Sequence, residues 1–150
     1  MTRRAWSTGC VAVSLVAVAL LVASWSGLTG QAEALFGVST GVFGEEQALE
    51  GEAAFATHCA GCHGAELQGG FGPALVPLDP WQFTDAPLAQ LFDFMRTAMP
   101  FDDPGSLEDE SYLAILAFVL RENGYPLGDE ATVLDEDAVR TLVLDEPPAE

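Results

Sequence analysis

The sequence predicts an all-α domain of three to five helices. Apolar residues recur at the three- and four-residue spacing of a helix face in three separate segments, and no segment shows the alternation that is typical of a half-buried strand. A length of 150 residues is typical of one domain, and 49% hydrophobic residues suffice for its core. We therefore expect a single compact helical domain.

Residues 1–34 have the pattern of an export signal. Arg3 and Arg4 give a positive start, and a long uncharged, mostly aliphatic stretch follows. Ala32-Glu33-Ala34 suits a signal peptidase, so the mature chain is expected to begin at Leu35. Because the uncharged stretch exceeds the ~20 residues that span a bilayer, a retained N-terminal membrane anchor is the alternative. Both interpretations place the domain in the periplasm or on the outer face of the cytoplasmic membrane.

The first part of the mature chain is expected to hold a linker, a helix and a loop. Residues 35–44 are predicted to be the linker because Gly, Ser and Thr are frequent there, and the domain proper is expected to span 45–127. Helix formers predict the first helix over Glu45–Thr57. A long loop rich in Gly and Pro is predicted over 64–80, and such a loop must wrap something other than itself. The apolar side of the first helix is expected to consist of Leu49, Ala53, Phe55 and Ala56.

Two further helices are predicted downstream of this loop. The second runs from about Pro87 to Ala98, and Pro100 prevents its continuation. The third is expected to begin after Ser106 as its N-cap and to stop at Asn123-Gly124. Both carry apolar residues at helical spacing, so both are expected to face the core.

The charge of the chain excludes one class of partner. The sequence has 23 Asp and Glu, 5 Arg, no Lys and a net charge of −18, so we exclude nucleic-acid binding. Residues 128–150 are expected to form an acidic extension, in which Val133–Leu144 suits a last short helix with Ala138, Val139 and Leu142 inward. The acids are dispersed, which favours adaptation to a salty medium over a docking patch for a basic partner or a bias of composition.

The segment Cys59-Ala60-Gly61-Cys62-His63 predicts the chemistry of the chain. Two thiols at this spacing can each add to one vinyl group of a haem, and His63 then lies beneath the iron as its proximal ligand. A zinc site would have to take its remaining ligands from only two His with no spare Cys in the mature chain, and a thioredoxin-like pair would need strands. The segment therefore predicts one covalently attached haem c in an exported protein. We interpret His58 as a partly exposed neighbour.

The second axial ligand is expected to be a methionine. Met95 lies on the apolar face of the second helix, where a core role is expected. Met99 lies at the end of that helix before Pro100, in a chain reversal that can direct its sulfur at the iron. Ligation by His63 and Met99 leaves no open position on the iron and raises its potential, which favours electron transfer. We therefore predict an electron-transfer protein and not an enzyme.

These segments resemble the class I (mitochondrial-type) cytochrome c domain over roughly residues 45–125. The resemblance lies in Gly51-x-x-x-Phe55-x-x-x-Cys59-x-x-Cys62-His63, Gly72-Pro73-x-Leu75, Met99-Pro100 and Ala117-Phe118. The stretch from Met99 to Leu107, with Tyr112 and Asn123-Gly124, is similar to bacterial monohaem cytochromes associated with quinoprotein or sulfur-compound dehydrogenases. The implied fold is a cytochrome c fold wrapped around one haem.

The resemblance also implies roles for single residues. Gly51 is expected to let the first helix approach the last major helix closely, with Phe55 near Phe118. The carbonyl of Pro73 is implied to accept the proton of the His63 imidazole. Two further residues are implied to contact the haem: Leu75 across one face and Trp81 at a propionate, with a plain core role as the alternative for Trp81.

The expected partners are redox proteins: a donor such as a dehydrogenase, and an acceptor such as an oxidase or another cytochrome. The Lys ring that steers many members of the family to acidic oxidases is absent here. Two alternatives to a free carrier stay open: a cytochrome subunit of a dehydrogenase complex, and a haem sensor or peroxidase-like protein with an open iron position.

Overall fold

The computed structural model describes residues 36–78 and 86–147. These residues form five α-helices, which confirms the predicted all-α class. The helices are α1 (Glu45–His58), α2 (Ala60–His63), α3 (Leu88–Ala98), α4 (Asp109–Glu122) and α5 (Glu136–Thr141). A 3₁₀ turn (Val38–Thr40) and two short strands, β1 (Phe36–Gly37) and β2 (Leu142–Val143), complete the fold. The segment interpreted as an export signal lies outside the described residues, and within them no helix is long and apolar enough to cross a membrane.

Helices α1 and α4 cross at Gly51. A Cβ atom on Gly51 would overlap the carbonyl group of Ala114 on α4, so only glycine permits this approach. One turn further along α1, the ring of Phe55 lies 5.3 Å from that of Phe118, measured between centroids. Both contacts implied by the resemblance are therefore present, and they fix α1 against α4.

The predicted apolar side of the first helix was wrong except for Phe55. The buried residues of α1 are Ala48, Gly51 and Phe55, whereas Leu49 is 53% exposed and Ala53 and Ala56 are also exposed. These three buried residues share one helix face, since they are spaced by three and four positions. Glycine and alanine occupy most of that face. Because these residues are small, the pattern of larger apolar residues in the sequence indicated a neighbouring side of the helix.

Helix α4 forms the centre of the core. Nine consecutive residues, Tyr112–Leu120, are buried, so the helix is covered on all sides. It begins later than predicted: Glu108 takes the N-cap position, and Ser106 is exposed and outside the helix. Its end agrees with the prediction, because Asn123 is the C-cap and Gly124 adopts a φ of +83°.

Residues 36–44 are not a linker in the structure. Val38 and Phe43 are completely buried, and β1 pairs in parallel with β2, with Phe36 opposite Leu142. The carboxylate of Asp145 accepts a hydrogen bond of 2.9 Å from the backbone N–H of Ser39. The segment packs into the domain because its few apolar side chains are covered by residues from the other end of the chain.

The C-terminal region is also part of the domain up to residue 147, beyond the predicted boundary at 127. The short helix expected there is present as α5 but is shorter than Val133–Leu144. Val139 is buried and Ala138 is partly buried, while Leu142 is buried in β2, after the helix. Gln47 on α1 holds this region through two hydrogen bonds with the backbone of Leu134, of 2.8 and 2.9 Å. We call the paired segments 36–44 and 128–147 the terminal clasp.

Candidate haem site

One cavity of about 850 Å³ lies between the end of α1, the loop 64–78, α3 and α4. Its wall is mostly apolar, with Phe55, Leu75, Leu91, Leu107, Ile115 and Val119 among the lining residues. Cys59, Cys62, His63 and Met99 line the same cavity. The structure therefore brings the predicted thiols, imidazole and thioether to one mostly apolar cavity.

The two cysteines and the histidine are arranged by a single helical turn. Helix α1 ends at Cys59, and the backbone N–H groups of Cys62 and His63 both donate to the carbonyl oxygen of Cys59, at 3.0 Å each. Burial raises the pKa of the Cys59 thiol to about 11, and the neighbouring Cys62 adds to the shift. Cys59 is thus a neutral thiol in the cavity wall, while Cys62 is exposed.

The loop after the helical turn fixes the orientation of His63. Nδ1 of His63 lies 2.8 Å from the carbonyl oxygen of Pro73, and because a carbonyl only accepts, Nδ1 carries the proton. Nε2 is therefore the ring nitrogen with a free lone pair, the form that a metal requires. The loop comes close at Gly72, where a Cβ atom would lie 2.9 Å from Cε1 of His63.

Asn123 supports the cavity wall from behind, a role that its position at a helix end did not predict. Its side-chain amide donates to the carbonyl oxygens of Leu75 and Val119, at 2.8 Å each, and its side-chain oxygen accepts from the N–H of Leu78 at 2.6 Å. Asn123 thereby ties the loop 75–78 to the end of α4. This loop carries Leu75, which is partly buried and lines the cavity.

Met99 lies at the C-cap of α3 in an extended conformation, and its N–H still donates to the carbonyl oxygen of Met95 at 3.0 Å. The carbonyl oxygen of Met99 accepts two hydrogen bonds, from the Tyr112 hydroxyl at 2.7 Å and from the N–H of Gly105 at 3.2 Å. Met95 also lines the cavity and packs, partly buried, against the hydrophobic core. Trp81 lies outside the described residues.

Three phenylalanines add an apolar rim to the cavity. Phe71, Phe94 and Phe101 line it and are 85%, 48% and 73% exposed. Large exposed aromatic side chains around one opening are typical of a surface that contacts another molecule.

Residues 46–119, about half of the chain, match the family model described as cytochrome c oxidase, cbb3-type, subunit III. The chain contains a class I-type cytochrome c domain. Among solved structures, the sulfane dehydrogenase SoxCD from Paracoccus pantotrophus matches it with a TM-score of 0.50 and 24% sequence identity, over 96% of this chain and 67% of that chain. This likeness supports the fold. A comparison with curated protein sequences found no significant match.

The cavity of this cytochrome c domain fits the cofactor that its family implies, a covalently bound haem c. Two thiols would meet the need for thioether attachment, and an imidazole and a thioether that line the same cavity could both ligate the iron. The remaining wall is apolar, which matches the faces of a porphyrin. A role in electron transfer follows from the family.

Proposed function

We propose that the chain is an exported monohaem cytochrome c that carries single electrons. In this proposal Cys59 and Cys62 hold one haem by thioether bonds, and His63 and Met99 are its axial ligands. The observation that carries the proposal is the shared cavity, whose mostly apolar lining includes all four side chains. A bound haem supplies one-electron chemistry there.

The residues of the chain have defined tasks in this function. Pro73 holds the His63 ring through the hydrogen bond to Nδ1, which leaves the lone pair of Nε2 for the iron. The apolar wall excludes water, which raises the reduction potential of a site that gains positive charge on oxidation. Ligation by both His63 and Met99 leaves no coordination position for a substrate, so this function is transfer and not catalysis.

Covalent attachment is tested by extraction. The full chain, produced with a cytochrome c maturation system, should keep its haem through acid denaturation and organic extraction, because thioether bonds survive conditions that break axial ligation. A Cys59→Ser/Cys62→Ser variant, which keeps His63, serves as the matched control and should release its haem to the organic phase. Release from the parent protein would contradict the proposal.

We infer that the partners are redox proteins, a donor of the dehydrogenase class among them. The likeness to a sulfane dehydrogenase and the exposed rings of Phe71, Phe94 and Phe101 support this inference. Native protein isolated from its host should co-purify with an oxidoreductase.

Mass spectrometry of the same material should find Leu35 as the first residue, whereas an intact N-terminal segment in the membrane fraction would establish an anchor.

A further inference from the structure

We propose that Tyr112 is a positioning residue that keeps Met99 at the iron. It acts through the backbone of Met99 and does not touch the reacting atoms. The inference rests on the proposed function, in which Met99 is the second axial ligand. It assigns to α4 the task of holding the turn that carries this ligand.

The contact is buried and well formed. Tyr112 lies in the first turn of α4 and is only 1% exposed. Its hydroxyl donates to the carbonyl oxygen of Met99 at 2.7 Å, a distance typical of a strong O–H···O bond. Tyr112 also lines the cavity, so it joins the core helix to the turn from inside the site.

The turn itself has little packing to hold it. Every residue from Phe101 to Ser106 is exposed. Its internal hydrogen bonds run from the N–H of Asp103 to Pro100 and from the N–H of Gly105 to Met99. These bonds shape the turn but do not connect it to the core. The N–H of Met99 connects the start of the turn to α3, and the Tyr112 hydroxyl connects it to α4, the most buried helix of the described residues.

The effect of the hydroxyl is a shift between two states of the ligand. Met99 is either bound to the iron or detached, and the hydrogen bond favours the arrangement in which the turn stays against α4. A net hydrogen bond of this kind changes such an equilibrium by about 2- to 10-fold. Removing it should therefore make the detached state more frequent without unfolding the protein, because the Met99 carbonyl keeps Gly105 as a donor.

The test is Tyr112→Phe in the full haem-loaded chain. Carbon monoxide binds ferrous haem where Met99 has detached, so its apparent affinity should rise about 2- to 10-fold. The sulfur-to-iron charge-transfer band of the ferric protein should weaken in parallel. Both readouts report whether Met99 is bound to the iron. A lower free energy of unfolding alone would not change this ligation in the molecules that stay folded.

Tyr125→Phe is the matched control. Tyr125 is also buried, and its hydroxyl donates to the carbonyl oxygen of Asp145 in the terminal clasp, away from the cavity lining. This variant should leave the band and the carbon monoxide affinity at the parent values. Equal changes in both variants would overturn the inference, because the effect would then be unspecific.

The two proposals fail in different ways. A parent protein without the charge-transfer band would overturn the assignment of Met99 as ligand and this inference with it. A parent protein that has the band, and a Tyr112→Phe variant that matches it in band and affinity, would overturn only the role of Tyr112.

Discussion

Met95 and Met99 both line the cavity, one helical turn apart, so the identity of the ligand is a question about single side chains. Met99→Ala should abolish the charge-transfer band and allow carbon monoxide to bind, because it removes the sulfur at the end of α3. Met95→Leu should keep the charge-transfer band and should still exclude carbon monoxide. The protein should stay folded, since a swap of similar volume in the core costs under ~1.5 kcal/mol. Absorption spectra of the two variants decide the matter, and the reverse result would transfer the ligand role to Met95.

Tyr125 makes the stability depend on pH in the alkaline range. Burial first, and then the charges of Asp145 and Glu146, raise its pKa from 10.0 to about 12. The phenol therefore ionises more easily in the unfolded chain, so its contribution is fully present below pH about 10 and is lost as the pH rises to about 12. The thermal midpoint should fall over this window. Tyr125→Phe should show a smaller fall, and an equal fall would show that other groups are responsible.

At the scale of elements, the crossing of α1 and α4 depends on the missing side chain of Gly51. Gly51→Ala should destabilise the fold by at least about 1–3 kcal/mol, because the added methyl group meets the backbone of α4 and not a flexible side chain. Gly61→Ala is the control, since a Cβ at that helical position has nothing within 4 Å. Urea unfolding of both variants measures the difference. A tolerated Gly51→Ala would mean that α4 moves away at little cost.

Some features of the helices and loops can be predicted from the sequence and others cannot. The Cys59–His63 segment and the end of α4 depend on local sequence patterns, whereas the Gly51 crossing was implied only by the resemblance to a known family. The hydrogen bonds of Asn123 to loop 75–78 and of Tyr112 to Met99 join residues that are far apart in sequence. The terminal clasp was missed for that reason as well: its two segments are far apart in sequence, yet they pair through β1 and β2 and contribute side chains to the same core.

For the whole molecule, carboxylates far outnumber cationic side chains. Without residues 1–34 the chain carries three Arg and 22 acids, a net charge of about −19. Each of the three Arg side chains already forms ion pairs: Arg96 with Asp93, Asp109 and Glu136, Arg121 with Glu52 and Glu122, and Arg140 with Glu136. Surface pairs of this kind contribute about 0–1 kcal/mol each, so their loss in salt is a small effect.

Salt should therefore stabilise the fold. The Debye length falls from ~30 Å at 0.01 M to ~3 Å at 1 M, so repulsion across the domain is strong at the lower concentration and nearly absent at the higher. The thermal midpoint of the purified mature protein should rise markedly between these concentrations of KCl. A flat or falling midpoint would contradict adaptation to a salty medium and would favour a docking patch or a bias of composition.

The parallel pairing of β1 with β2 has a mechanical consequence. A pull on the chain before Phe36 and after Leu144 acts along the two strands in opposite directions, because the strands run the same way. The bonds between the strands and the neighbouring contact from Ser39 to Asp145 are then loaded together in shear and do not open one after another. Tension applied through the ends of the domain thus acts first on the terminal clasp, before it reaches the walls of the cavity.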